Sequence, residues 1–182
     1  DRGNRGGRVR KALAMVVAGV VLLVGCGGDV EGTAVARERW DPCSIPDEAI
    51  EATGLDPTYR DVGWDEGIVV DDWALCTYRA PAERQSYFLS VFSSNEHEVS
   101  DARDDKRRLN GRDLQIGDRD AFQYESGVSD AVQDCNIFVA VPTGVVWFAV
   151  DFAGGIEPRS DPCGIVRTHA TDLEHLLPPL PR

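Results

Sequence analysis

The groups in this chain able to do chemistry are five cysteines, three histidines and 31 acidic side chains. Cys43, Cys76, Cys135 and Cys163 form an even set without a Cys-x-x-Cys pair. Thiols spread this widely suit disulfides in an oxidising compartment better than a zinc site, which takes ligands paired at short spacing. Four cysteines leave three pairings open. Cys43 with Cys76 and Cys135 with Cys163 is the favoured one, because each bond then closes a modest loop. Loops of roughly thirty residues each contribute about 3.5 to 4 kcal/mol through entropy removed from the unfolded chain.

His97 falls in a charged stretch and is expected on a solvated helix face, while His169 and His175 lie six residues apart, a poor spacing for one shared helix face. There is no Gly-x-Ser-x-Gly elbow, no His-Glu-x-x-His and no Ser-x-x-Lys. Asp56, Asp61, Asp65, Glu66, Asp71 and Asp72 supply the kind of loop oxygen that calcium takes, yet their spacing fits no EF-hand loop. Paired carboxylates could hydrolyse a glycoside, but the abundance of acids selects no particular pair. No catalytic residue, metal site or cofactor is therefore assigned. Trp40, Trp64, Trp73 and Trp147 are expected to pack in the core or under a lid; the alternative rests on Trp64, which lies in a Gly-rich loop where a large exposed ring would suit recognition of a ligand or protein.

Cys26 stands apart from the other four thiols. Residues 1–11 are basic, 12–25 are wholly apolar, and small residues lead into the cysteine, which is the three-part layout of an export signal. Fourteen apolar residues in a helix reach only about 21 Å, short of a bilayer core of roughly 30 Å, so a permanent span is not expected. Leu23-Val24-Gly25-Cys26 resembles the bacterial lipobox. That resemblance implies lipid transfer to the Cys26 sulfur, peptidase recognition through Leu23, Val24 and Gly25, cleavage before Cys26, and acylation of the new amino group. Several acyl chains, at about 0.8 kcal/mol per buried methylene, would hold the protein on the outer face of the cell membrane. Residues 26–39 are small and polar and read as a flexible spacer, leaving 40–182 as one extracytoplasmic domain.

Charge narrows the partners. Five of the 19 basic residues and one of the 31 acids fall within 1–25, so the remainder carries 14 against 30, formally −16. Such a surface repels phosphate backbones, and nucleic acid is excluded as a partner.

The elements that must position these groups follow from periodicity. Ser44, Pro46, Asp47, Glu48 and Gly54 bracket a short helix near 46–53. Strands are expected near 73–79, 86–93 and 118–125, with a charged helix over 96–109 whose inner face holds Val99, Ala102 and Leu109. Residues 136–141 and 145–152 are apolar on both faces and joined by Pro142-Thr143-Gly144, which places a hairpin at the sheet centre. Asp161-Pro162 opens a last helix running to about 177, with Val166, Ala170, Leu173 and Leu177 on one face, and Pro178-Pro179 ends it. Asp41-Pro42-Cys43 echoes Asp161-Pro162-Cys163, read as shared helix-start chemistry. The fold class is α+β, an antiparallel β-sheet packed with helices and stapled by two disulfides.

The lipobox, the spacer, Asp41-Pro42-Cys43, Cys76-Thr77-Tyr78, residues 117–121 (Gly-Asp-Arg-Asp-Ala), Asp134-Cys135, Asp161-Pro162-Cys163 and the closing Leu-Pro-Pro-Leu-Pro occur in this order. Together they resemble the actinobacterial lipoproteins grouped as domain of unknown function 3558. Tyr78 departs from the family pattern, standing where a Trp is expected. The resemblance covers nearly all of the chain after the leader and implies the location, fold and disulfides above, with no established activity. The expectation is a non-catalytic envelope lipoprotein, attached to the membrane through Cys26, that binds an envelope protein or a small ligand. An extracellular hydrolase using Asp or Glu, and a purely structural envelope protein, are the alternatives.

Overall fold

Strands form where β-branched and aromatic residues alternate, and helical turns form where an Asp or a Pro can satisfy or dispense with free amides. A computed structural model describes residues 38–81, 87–126, 134–152 and 160–181. All of them belong to the compact unit Ala36–Arg182. In chain order the elements are α1 (Asp47–Ala52), β1 (Asp61–Val62), β2 (Ala74–Arg79), β3 (Tyr87–Ser94), α2 (Val99–Asp104), β4 (Arg108–Ile116), β5 (Arg119–Ser126), β6 (Asp134–Val141), β7 (Gly144–Phe152) and α3 (Pro162–Leu173). One antiparallel sheet of seven strands runs β1-β2-β3-β7-β6-β5-β4. Secondary structure is mostly sheet, with three short helices. The fold is α+β as expected, and the β6–β7 hairpin lies at its centre. Among the described residues no helix is long and apolar enough to cross a membrane.

The two Asp-Pro-Cys motifs do the same local work. Asp41 accepts the Cys43 amide at 2.8 Å to open a 3₁₀ turn, and Asp161 accepts those of Cys163 and Gly164 at 3.1 and 3.0 Å to cap α3. Each motif thereby delivers a cysteine from a first turn to a strand. Cys43 pairs with Cys76 on β2, and Cys135 on β6 pairs with Cys163, with Cα separations of 5.2 and 5.0 Å. Both bonds lie on the face where Leu89, Ile137, Phe148 and Val150 meet Ile50 of α1 and Val166, Ala170 and Leu173 of α3. Tyr78 is fully buried there, its hydroxyl donating to the Pro42 carbonyl at 2.8 Å, and burial pushes that hydroxyl up to about 12. A Trp in its place would lack the hydroxyl. Arg119, only 4% exposed, ties β5 to the residue after α3 through Glu174 at 2.6 Å.

The opposite face is covered by α2, whose Val99 and Ala102 pack on Phe122, Tyr124 and Phe138. Here the expected helix over 96–109 is corrected. It begins at Val99, with a reciprocal Glu98 and Asp101 capping box, and ends at Asp104, because the Asp105 carboxylate captures the Arg107 amide at 3.0 Å and turns the chain. Leu109, assigned to the inner helix face, is 50% exposed on β4 instead. That strand is charged because it is a sheet edge, where polar side chains deter pairing with another chain. Its register shifts between Leu109 and Arg112, and Gly111 sits where a Cβ would lie 2.6 Å from the Phe122 ring. Gly144, at φ +136°, turns the central hairpin where any Cβ would collide with the Ser94 carbonyl oxygen.

Candidate functional site

Register brings four rings into line across the α2 face. Phe92 on β3 lies opposite Trp147 on β7, Trp147 opposite Phe138 on β6, and Phe138 opposite Phe122 on β5. Phe92 and Trp147 stack with centroids 4.0 Å apart, and Phe138 lies 5.3 Å from Trp147. Trp73, just before β2, stands edge-on against three of these rings at 5.7 to 6.2 Å. Such pairs contribute about 0.5 to 1.5 kcal/mol each beyond their buried area. The Trp147 indole donates to the Asn136 Oδ1 at 2.9 Å, so its one polar atom is satisfied.

This row is the platform for the loop between β1 and β2. Trp64 rests on Phe92 at 5.8 Å, and the Gly63 amide donates to the Leu75 carbonyl at 2.9 Å. A turn closes from the Ile68 amide to the Asp65 carbonyl at 3.0 Å. Arg39 donates to the Asp71 carbonyl at 2.7 Å. At the far end, His97 holds Asp72 through Nε2 at 2.7 Å and Asp101 through Nδ1 at 3.0 Å, while its ring stacks on Trp73 at 4.9 Å. The loop is thus fixed at both ends, with a turn closed on itself between them. His97 lies just ahead of α2 and is one-third exposed, which corrects its expected place on a solvated helix face. Nothing in the local sequence pairs His97 with Asp72, 25 residues earlier.

Carboxylate oxygens only accept, so the arrangement is fully bonded when both ring nitrogens carry protons. The hydrogen bond to Asp72 is the main cause holding the imidazole above its ordinary 6.5, with Asp101 adding to it and burial opposing. Asp72 and Asp101 are held below 3.8, chiefly by the His97 bond and the Glu98 amide respectively. Because the folded imidazole value is raised, its contribution is complete below the unfolded 6.5 and lost as pH rises through the folded value. The carboxylate contributions are complete above 3.8 and lost as pH falls through the lowered values. The clasp is therefore strongest between the two unfolded values. NMR titration of the His97 ring is expected to give a midpoint above 6.5, moving back toward it in Asp72→Asn. An unmoved midpoint in that variant would remove the clasp.

What the loop presents outward is apolar. Trp64, Ile68 and Val69 are 37, 53 and 82% exposed, three of the six large hydrophobics exposed among the described residues, whereas Val62, 69% exposed on β1 opposite Cys76, lies on the disulfide face, away from the Phe92 on which Trp64 rests. Single exposed apolar side chains are ordinary; three within six residues of a hydrogen-bonded loop are less so. Asp61, Asp65, Glu66 and Asp71 are exposed around it.

The remaining sequence candidates fall elsewhere. Asp56 is engaged by Thr58 and Arg79, away from the loop acids. Among the described residues no three His, Cys, Asp or Glu side chains gather as metal ligands. His169 is 3% exposed and shares its Nε2 with the Tyr87 hydroxyl at 2.8 Å; burial brings its imidazole down to about 4, so it is neutral at physiological pH. His175 is exposed in a 3₁₀ turn after α3. Cys26, with Leu23, Val24, Gly25 and the spacer as far as residue 37, lies outside the described residues. One pair was missed by sequence reasoning. Asp134 and Asp151 are direct cross-strand neighbours, and burial, with Asp134 adding, raises the Asp151 carboxyl. Only strand register reveals a pair 17 residues apart, a carboxyl raised by burial beside another carboxylate.

A family model described as "Protein of unknown function (DUF3558)" matches residues 21–175. No curated protein and no solved structure matches the chain.

Proposed function

The chain belongs to this DUF3558 family of proteins of unknown function, and from that premise we propose that it is a membrane-anchored envelope lipoprotein whose domain acts by binding rather than by catalysis. The observation that carries the binding reading is the pinned loop with three exposed apolar side chains, Trp64, Ile68 and Val69. Ordering a loop costs free energy on association, and a loop already fixed by Arg39, His97 and the aromatic platform avoids most of that cost. Anchorage is supported by the sequence layout around Cys26 and by a family match that starts at residue 21, ahead of that cysteine. The test is direct. Protein recovered from its native host is expected to carry diacylglyceryl and acyl groups on Cys26, and Cys26→Ala to leave the membrane fraction. An unmodified, uncleaved leader in mass spectrometry would end the anchored reading.

The hydrolase alternative has Asp134 and Asp151 in its favour, a carboxyl raised beside another carboxyl. Against it, both Asp134 oxygens are already engaged, by the Ser126 amide at 2.9 Å and the Asn136 amide group at 3.3 Å. A hydrolytic activity lost in Asp151→Asn with the fold intact would reverse this preference.

A further inference from the structure

We infer that the β1–β2 loop docks a basic protein segment, one that seats apolar side chains on Trp64, Ile68 and Val69 while Lys or Arg residues face the neighbouring acids. The inference rests on the binding reading above and adds the chemistry of the partner. Residues 61–73 contain no Lys or Arg. Arg60 is engaged by Asp47 and the Cys43 and Ile45 carbonyls and Arg79 by Asp56, while Arg39 donates to the loop's own Asp71 carbonyl. Asp61, Asp65, Glu66 and Asp71 are exposed and have no ion-pair partner among the described residues. Against the single charge of Arg39 at the Asp71 carbonyl, the exposed Asp61, Asp65, Glu66 and Asp71 leave the loop in a net negative field.

That field selects among occupants. A second copy of this chain, meeting the patch about a twofold axis, would bring the same acidic rims together. An anionic lipid surface would be repelled in the same way, since membranes recruit basic rather than acidic segments. A protein surface with an apolar centre and a cationic rim gains on both counts, with the apolar contact supplying the affinity and the charges supplying orientation and rate. The row of Phe92, Trp147 and Phe138 beneath Trp64 gives the contact a rigid floor.

The experiment places a photo-cross-linking benzoylphenylalanine at Val69, the most exposed of the three, in the full chain expressed in its native host. The expected result is a discrete adduct with another protein whose cross-linked peptide carries Lys or Arg. Its yield should fall about tenfold in the combined variant Asp65→Asn, Glu66→Gln, Asp71→Asn, as expected when rim charges that steer association are removed. A melting curve unchanged in that variant assigns the loss to charge rather than to folding. Adducts with lipid, with a second copy of this chain, or with a peptide lacking basic residues overturn this inference and leave the binding reading standing. No adduct from position 69 overturns the loop as a binding surface altogether.

Discussion

Replacing Cys135 and Cys163 together with alanine is expected to lower the melting temperature by on the order of 10 °C. The two cysteines are 28 residues apart, and opening a loop of that length returns about 3.5 kcal/mol of entropy to the unfolded chain. Both sulfurs are in the core, on residues 0 and 7% exposed, so the variant also loses packing where the first turn of α3 meets the middle of the sheet. α3 keeps its other attachments, Val166, Ala170 and Leu173 in the core and the Arg119–Glu174 pair just beyond its end. The variant should therefore still fold, and melt as one transition at the lower temperature. Scanning calorimetry under non-reducing conditions decides the matter; a shift below about 2 °C would mean that the bond constrains little.

Phe138→Ala is expected to cost more, about 3 to 5 kcal/mol, the range for truncating a buried phenylalanine. The ring is 2% exposed and touches Trp147, Trp73 and Tyr124 at 5.3, 6.0 and 5.9 Å. Its loss should therefore be visible in the emission and near-ultraviolet dichroism of two tryptophans as well as in stability, a signature the disulfide variant lacks. Phe138→Leu, which retains most of the volume, should recover the larger part of the stability. Equal spectra for the alanine variant and the parent would show that the loop stands without its aromatic floor.

Legibility in the sequence followed locality. The central hairpin was readable because Pro142-Thr143-Gly144 is turn chemistry and both flanking runs are apolar on two faces. α3 was readable because Asp161-Pro162 starts it and Val166, Ala170 and Leu173 keep helical spacing. β4 was misread as the tail of a helix, since an edge strand carries few apolar residues and the period of two is drowned by charge. The two residues of β1 are too few to leave any period. Trp64 stood out because glycines flank its loop, yet its partner Phe92 comes from a different strand. The same holds for the clasp: His97, Asp72 and Asp101 each look like ordinary solvated polar residues until the register of β2, β3 and β7 sets Trp73 beneath the imidazole.

The strand order carries a consequence for biogenesis. β3 is hydrogen-bonded along its whole length to β7, whose residues are more than fifty positions later, while β4 to β7 form a meander of neighbours. In a chain delivered to an oxidising space from its amino end, Cys43 and Cys76 arrive together and can join while the inner edge of β3 still has no partner. Cys163 follows β7 in the chain, so in such a chain the Cys135–Cys163 bond would form after the Cys43–Cys76 bond. Until β7 pairs with it, the exposed edge is the part of the molecule most in need of a chaperone.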